Sequence, residues 1–155
     1  MSGSAERRGT ADGAAGLRVA IVAARFHADV VDRLVTGATA ELVRQGCSLV
    51  ATERVPGAFE IPAVAQRIAA SGRVDAVVAL GCVIRGETPH FDHVCSAVTV
   101  GCEAVARTTG VPVGFGVLTV EDLAQAEARA GGHHGDKGAE AAEAAVETAL
   151  VLRGW

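Results

Sequence analysis

Within nine residues, RGETPHFDH from Arg85 to His93, the chain sets an arginine, two carboxylates, a hydroxyl and two imidazoles directly after the apolar run DAVVALGCVI that starts at Asp75. Two kinds of chemistry suit that mixture. Backbone N–H groups around Gly86, Glu87 and Thr88, at the positive end of a helix, favour phosphate or another anion. His90, in the first turn of the same helix, can accept and return a proton. Thr88 followed by Pro89 marks the helix start, a hydroxyl to cap the first turn and then a proline whose fixed φ suits the first helical position. A plain helix cap with an exposed histidine uses the same residues. It is the company of Arg85, Gly86 and the buried strand that turns the reading toward a site. Arg85 has two uses open to it, contact with an anion or pairing with an acid such as Asp92 or Asp75.

Other residues gather at similar positions. Phe26, in ARFH, follows a charge at the end of an apolar run, where it either stacks on a ligand ring or packs on a neighbouring loop. In PGAFEIP, Gly57 and Ala58 permit close backbone approach, and Glu60 sits among apolar neighbours where an acid needs hydrogen bonds. A polyhydroxylated substrate supplies them, and so does the N-terminus of the next helix. Thr119 reads as the cap of a helix from Val120 to Ala130, with Asp122 completing a weak capping box. Arg129 lies in the last turn of that helix, where a cation is favourable in any case. GGHHGDKG is glycine-rich, but no glycine directly precedes Lys137 and no Ser or Thr follows it, so it is no nucleotide P-loop. The spacings of His90, His93, His133, His134 and Cys95 match no standard zinc ligand set.

The elements that must position these residues alternate. Leu17–Ala24, SLVATERV, Ala76–Ile84 and PVGFGVLT from Pro112 read as strands. Ala28–Gln45, Ile61–Ala70, His90–Thr108 and about Lys137–Leu152 read as helices, in addition to Val120–Ala130. Uniformly apolar strands, each followed by a helix, predict a parallel sheet covered on both faces. The fold class is α/β, a single three-layer α/β/α domain with a four-stranded parallel sheet in flavodoxin-like order over residues 17–155. Residues 1–16, small and polar with no apolar period, read as a flexible N-terminal arm. Ligands of such sheets bind outside the carboxyl ends of the strands, and ARFH, VPGAFE, RGETPH and GFGVLT all fall there.

Composition narrows the partners. A chain of 155 residues, half of them apolar, fits one domain with a real core. The formal charge of −4, the absence of tyrosine and a single tryptophan argue against nucleic acid. No run approaches the roughly 20 apolar residues of a membrane span. Cys47, Cys82, Cys95 and Cys102 form no CxxC pair, which suggests free thiols and a cytoplasmic location.

Taken in order, ARFH, VPGAFEIP, DAVVALGCVIRGETPHFDHV, PVGFGVLT, DLAQAEARAGG and GDKGAEAA resemble the 6,7-dimethyl-8-ribityllumazine synthase family of riboflavin biosynthesis, from about Leu17 to Leu152. The resemblance implies a transferase that condenses 5-amino-6-(D-ribitylamino)uracil with 3,4-dihydroxy-2-butanone 4-phosphate, releasing phosphate and water, with no metal or organic cofactor. It implies that Phe26 stacks on the pyrimidine, that Ala58, Phe59 and Glu60 hold the ribityl chain, and that Cys82, Val83 and Ile84 offer main-chain hydrogen bonds. Glu87 and Thr88 would bind the phosphate end of the four-carbon substrate with Arg129 as cationic partner, and His90 would transfer protons. Phe115 and Arg129 would reach the site from the adjacent subunit of a homopentamer. Assembly to a 60-subunit icosahedral capsid is permitted, because GGHHGDKG carries no insertion relative to the compact form. Riboflavin synthase is a further partner in some assemblies of this kind.

The chain departs from the family pattern at His93, where Tyr is usual, at Ala97, where an acid is frequent, and at His133, where Lys is common. His133 would therefore supply less fixed positive charge beside the phosphate than the lysine does. The alternatives are an archaeal-type riboflavin synthase, acting on two lumazine molecules, and a non-catalytic lumazine- or flavin-binding shell protein.

Overall fold

In the computed structural model, which describes residues 13–155, β1 (Arg18–Ala24), β2 (Ser48–Val55), β3 (Ala76–Ile84) and β4 (Val113–Val120) form one parallel sheet in the order β2-β1-β3-β4. The two-residue period of the strands sorts their side chains onto two faces. Val19, Ile21 and Ala23 of β1 join Val78, Leu80 and Cys82 of β3 against α1 (Ala28–Arg44), α4 (Leu123–Ala128) and α5 (Lys137–Arg153). The intervening Ala20, Val22, Val77 and Ala79 pack against α2 (Ile61–Ala69) and α3 (His90–Thr109). The result is the three-layer α/β/α fold expected.

Most expected boundaries hold within two residues, and three features differ. β2 is an edge strand with Ser48, Val50, Thr52, Glu53 and Arg54 exposed, so it is not covered on both faces as a central strand would be. The helix expected over Val120–Ala130 is only Leu123–Ala128, because Thr119 and Val120 still pair with Val83 and Ile84 in the sheet. Asp122, not Thr119, is its cap: the carboxylate accepts from Gln125 N at 2.8 Å, and Gln125 Oε1 accepts from Glu121 N at 2.8 Å. The glycine-rich segment before α5 forms a small antiparallel hairpin, β5 (Ala130–Gly132) and β6 (Gly135–Asp136).

Close helix contacts explain two glycines. At Gly138 in the first turn of α5 an added Cβ would run into the backbone carbonyl of Leu34 in α1, and at Gly37 it would run into the Asp136 carboxylate. That carboxylate caps α5 by accepting from Gly138 N at 2.9 Å and Ala139 N at 3.1 Å. Residues 1–12 of the expected arm lie outside the described residues. Its last residues meet the domain: Ala14 is buried, and Gly16 N donates to Gly46 O at 3.0 Å.

Candidate active site

The carboxyl ends of β1, β2 and β3 open into one cavity of about 500 Å³, lined by Phe26 and His27 after β1, Gly57 to Glu60 after β2, Cys82 to Ile84 of β3, and His90 and Val94 of α3. Each wall has a local cause. Arg25 N donates to Val55 O at 2.8 Å and Phe26 N to Pro56 O at 3.1 Å, which ties the exit of β1 to that of β2 and leaves the Phe26 ring in the open. Phe26 is 68% exposed and Phe59 63%, values that leave much of each ring open to a ligand and favour the stacking role considered for Phe26 over packing.

Gly57 sits where Phe26 and Glu60 converge. A Cβ there would lie 3.5 Å from the Phe26 ring and 3.6 Å from Glu60 Oε2. Glu60 is exposed, not enclosed by apolar groups as its neighbours in sequence suggest, because it closes a single 3₁₀ turn (Ala58–Glu60) at the cavity edge. It is also the residue preceding α2, yet its side chain makes no capping hydrogen bond. The helix N-terminus is thus not its partner, and the carboxylate is available to hydroxyl donors in the cavity.

The floor is main chain and aliphatic. Cys82 is buried, and burial pushes its thiol up to about 11, so it holds its proton at neutral pH and offers no nucleophile. Val83 and Ile84 are half-buried at the strand end.

His90 is the first residue of α3, with Pro89 at the capping position. The Thr88 hydroxyl accepts from His90 N at 3.4 Å, a long contact, and the helix starts one residue later than the Thr-Pro pair suggests. Glu87 and Thr88 are exposed in the segment between β3 and α3, outside the cavity lining. Arg85 is engaged elsewhere: Nε donates to Glu121 at 2.7 Å, Nη1 meets Asp92 at 3.5 Å, and the guanidinium carbon lies 4.4 Å from the centre of the Phe91 ring. Asp75 belongs instead to Arg18, at 3.2 Å.

Two of the expected residues stand apart. Phe115 is half-buried on β4, packed against the α2/α3 side of the sheet. Arg129 donates through Nη1 to Gln125 O at 2.9 Å and lines a second cavity of about 300 Å³ with Thr119, His134, Lys137 and Glu140. The histidine lining that cavity with Arg129 is therefore His134, and the His133 ring lies against it tilted by 45°, with ring centres 4.4 Å apart. Sequence reading passed over His27 and Val94 as cavity residues, and weighed His134 and Lys137 only as a zinc ligand and a P-loop lysine. The signal for the latter two was the GGHHGDKG segment; His27 and Val94 depend on how the chain turns. Among the described residues no three His, Cys, Asp or Glu side chains gather as a metal site.

The arrangement combines an aromatic face, a free carboxylate and a histidine at the end of a parallel sheet, with cations in a separate cavity. That equipment can hold a planar polar ring and move protons beside it.

Comparison with known proteins points the same way. A sequence model described as 6,7-dimethyl-8-ribityllumazine synthase matches residues 16–153. The chain is 58% identical over 156 residues to a protein of that name from Kineococcus radiotolerans, covering 99% of this chain and 96% of the relative. It is 51% identical over 141 residues to one from Nitratidesulfovibrio vulgaris strain DSM 19637 and 50% to one from Desulfovibrio desulfuricans, in both cases covering 90% of each chain.

Proposed function

The chain belongs to the 6,7-dimethyl-8-ribityllumazine synthase family, transferases of riboflavin biosynthesis, and we propose that it carries out the family's condensation in the cavity between Phe26, Glu60 and His90. The reaction joins 5-amino-6-(D-ribitylamino)uracil to 3,4-dihydroxy-2-butanone 4-phosphate and releases phosphate and water. The single observation that carries the site assignment is the meeting of an exposed aromatic ring, an unpaired carboxylate and a histidine in one cavity at the strand ends.

In this reading the pyrimidine lies on Phe26, and Cys82, Val83 and Ile84 meet its edge through main-chain groups. Ala58 and Phe59 flank the ribityl chain, whose hydroxyls donate to Glu60. Glu87 and Thr88, with Arg129, hold the phosphate. The 5-amino nitrogen attacks the ketone carbon and water leaves as the imine forms. Loss of a proton from the adjacent carbon lets the phosphate depart, and the ribityl-bearing nitrogen then closes the ring with loss of further water. His90 accepts and returns the protons, and the cavity supplies the juxtaposition that makes each step intramolecular.

Phe115 and Arg129 lie outside this cavity in their own chain, which supports a site completed by an adjacent subunit of a homopentamer. Closure of pentamers into a 60-subunit shell, and association with a riboflavin synthase that consumes the product, are the larger assemblies this reading allows. Four free cysteines support a reducing, cytoplasmic setting. No described helix is long and apolar enough to cross a membrane.

The test is the rate of lumazine formation from the two substrates, followed by absorbance against an enzyme-free blank. A rate well above the blank is expected. A rate equal to the blank, with riboflavin formed from lumazine alone, would instead assign a riboflavin synthase; ligand binding without either reaction would assign a binding protein.

A further inference from the structure

His27 is the only non-glycine among the described residues with a positive φ, at 58° with ψ 52°, in the left-handed region. Histidine enters that region more readily than most residues but still at a cost, so the conformation must be held from outside. It is held on both sides. Before it, Arg25 N and Phe26 N are bonded to Val55 O and Pro56 O; after it, the His27 carbonyl accepts from Val30 N at 3.1 Å and Val31 N at 3.0 Å as α1 begins. The chain therefore reverses direction at one residue between two fixed segments.

The imidazole that this turn displays lines the same cavity as Phe26 and Glu60. It caps nothing in α1, and neither ring nitrogen has a hydrogen-bond partner among the described residues. Its ring lies 6.4 Å from that of Phe26, centre to centre, at an interplanar angle of 55°. A planar ligand stacked on Phe26 would therefore meet this imidazole obliquely and not face to face.

We infer that His27 is a substrate-contacting residue that recognises the hydrogen-bonding edge of the pyrimidinedione whose face lies on Phe26. This rests on the reading of the cavity as the pyrimidine site and adds a contact to it. A neutral imidazole carries one donor and one acceptor, and the rim of a pyrimidinedione alternates carbonyl oxygens with N–H groups, so the two are complementary in either tautomer. The strained turn is what brings the ring to the rim instead of leaving it on the outer face of α1.

The experiment separates side chain from backbone. His27→Gly keeps the left-handed turn without cost and removes the imidazole; His27→Asn also tolerates the turn and keeps a donor and an acceptor. Steady-state constants for both substrates are measured in the full-length chain, with Phe26→Ala as the control on the cavity and thermal melting as the control on folding. The glycine variant is expected to raise KM for the ribitylaminouracil roughly five- to tenfold, as for loss of one hydrogen bond, with kcat and the KM for the butanone phosphate unchanged. The asparagine variant should stay within about twofold of the parent. An unchanged KM in the glycine variant, with Phe26→Ala impaired, overturns the role of His27 and leaves the cavity assignment standing. If Phe26→Ala also leaves KM unchanged, the cavity assignment falls and the inference with it. An equal rise in both KM values overturns the inference as well, because a rim contact acts on one substrate only.

Discussion

Arg85 and Glu121 join the end of β3 to the segment after β4 through a 2.7 Å hydrogen bond from Nε to the carboxylate. The same guanidinium reaches Asp92 and lies over Phe91, so it braces the turn of α3 that starts with His90. Its charge is satisfied within the chain and it is absent from the cavity lining. Arg85→Ala is expected to leave the KM for the phosphate substrate within about twofold and to change stability little, since exposed ion pairs contribute little. A rise in that KM beyond tenfold would make Arg85 an anion ligand after all.

For His90→Ala a fall in kcat on the order of 10² is expected, the usual scale for loss of one general acid–base group. The rate should remain above the enzyme-free blank, because the substrates are still held together. Full activity in this exposed, first-turn variant would remove His90 from the mechanism.

The sheet was readable because β1, β3 and β4 are nearly continuous apolar runs and the helices have clear stops, as at Gly46. Glu60 and Phe26 were found by type at strand ends, but their freedom from partners depends on the 3₁₀ turn and on the Val55–Pro56 tether, which no periodicity reveals. The α4 boundary was missed because Thr119 and Asp122 are both good caps, and pairing of Val120 with Ile84 decided between them. His27 stayed hidden because a left-handed φ at a histidine has no marker in sequence. His133 drew attention by position, whereas the β5–β6 hairpin turns His134 toward Arg129.

Gly138→Ala tests the α1–α5 contact. The added methyl meets the Leu34 backbone carbonyl, which moves only if α1 moves with it. Overpacking of this kind costs roughly 1–3 kcal/mol, or a melting temperature lower by about 2–12 °C for a domain of this size. Melting at equal protein concentration checks it, and an unchanged midpoint would show that the two helices separate freely.

Acid sensitivity should trace in part to Asp75. Hydrogen bonds from the Arg18 side chain, in addition to its backbone N–H at 2.8 Å, hold this carboxyl below its ordinary value. A carboxyl lowered in the folded state contributes stability above its unfolded value near 4, and that contribution is lost as pH falls through the lowered folded value. Asp75→Asn is therefore expected to be less stable at neutral pH and to lose less stability on acidification below about pH 4. Urea midpoints measured across pH decide it; parallel curves for the two proteins would rule the pair out as a source of acid sensitivity.

Arg129 and His90 line different cavities of one chain, and the proposed function has an adjacent chain bring the two to one site. Arg129→Ala alone should raise the KM for the phosphate substrate by roughly ten- to a hundredfold, the scale of one lost charge-assisted contact. The sharper measurement mixes subunits. In a ring with one repeated head-to-tail interface, every chain gives His90 to one site and Arg129 to the next. When His90→Ala and Arg129→Ala chains are unfolded together in equal amounts and reassembled, half the sites take their histidine from an intact donor and half of those take an intact arginine. Roughly a quarter of the sites then hold both groups, and activity should recover to about that fraction of the parent. If both residues serve a site within one chain, no mixing restores a complete pair, and activity stays at the mean of the two variants.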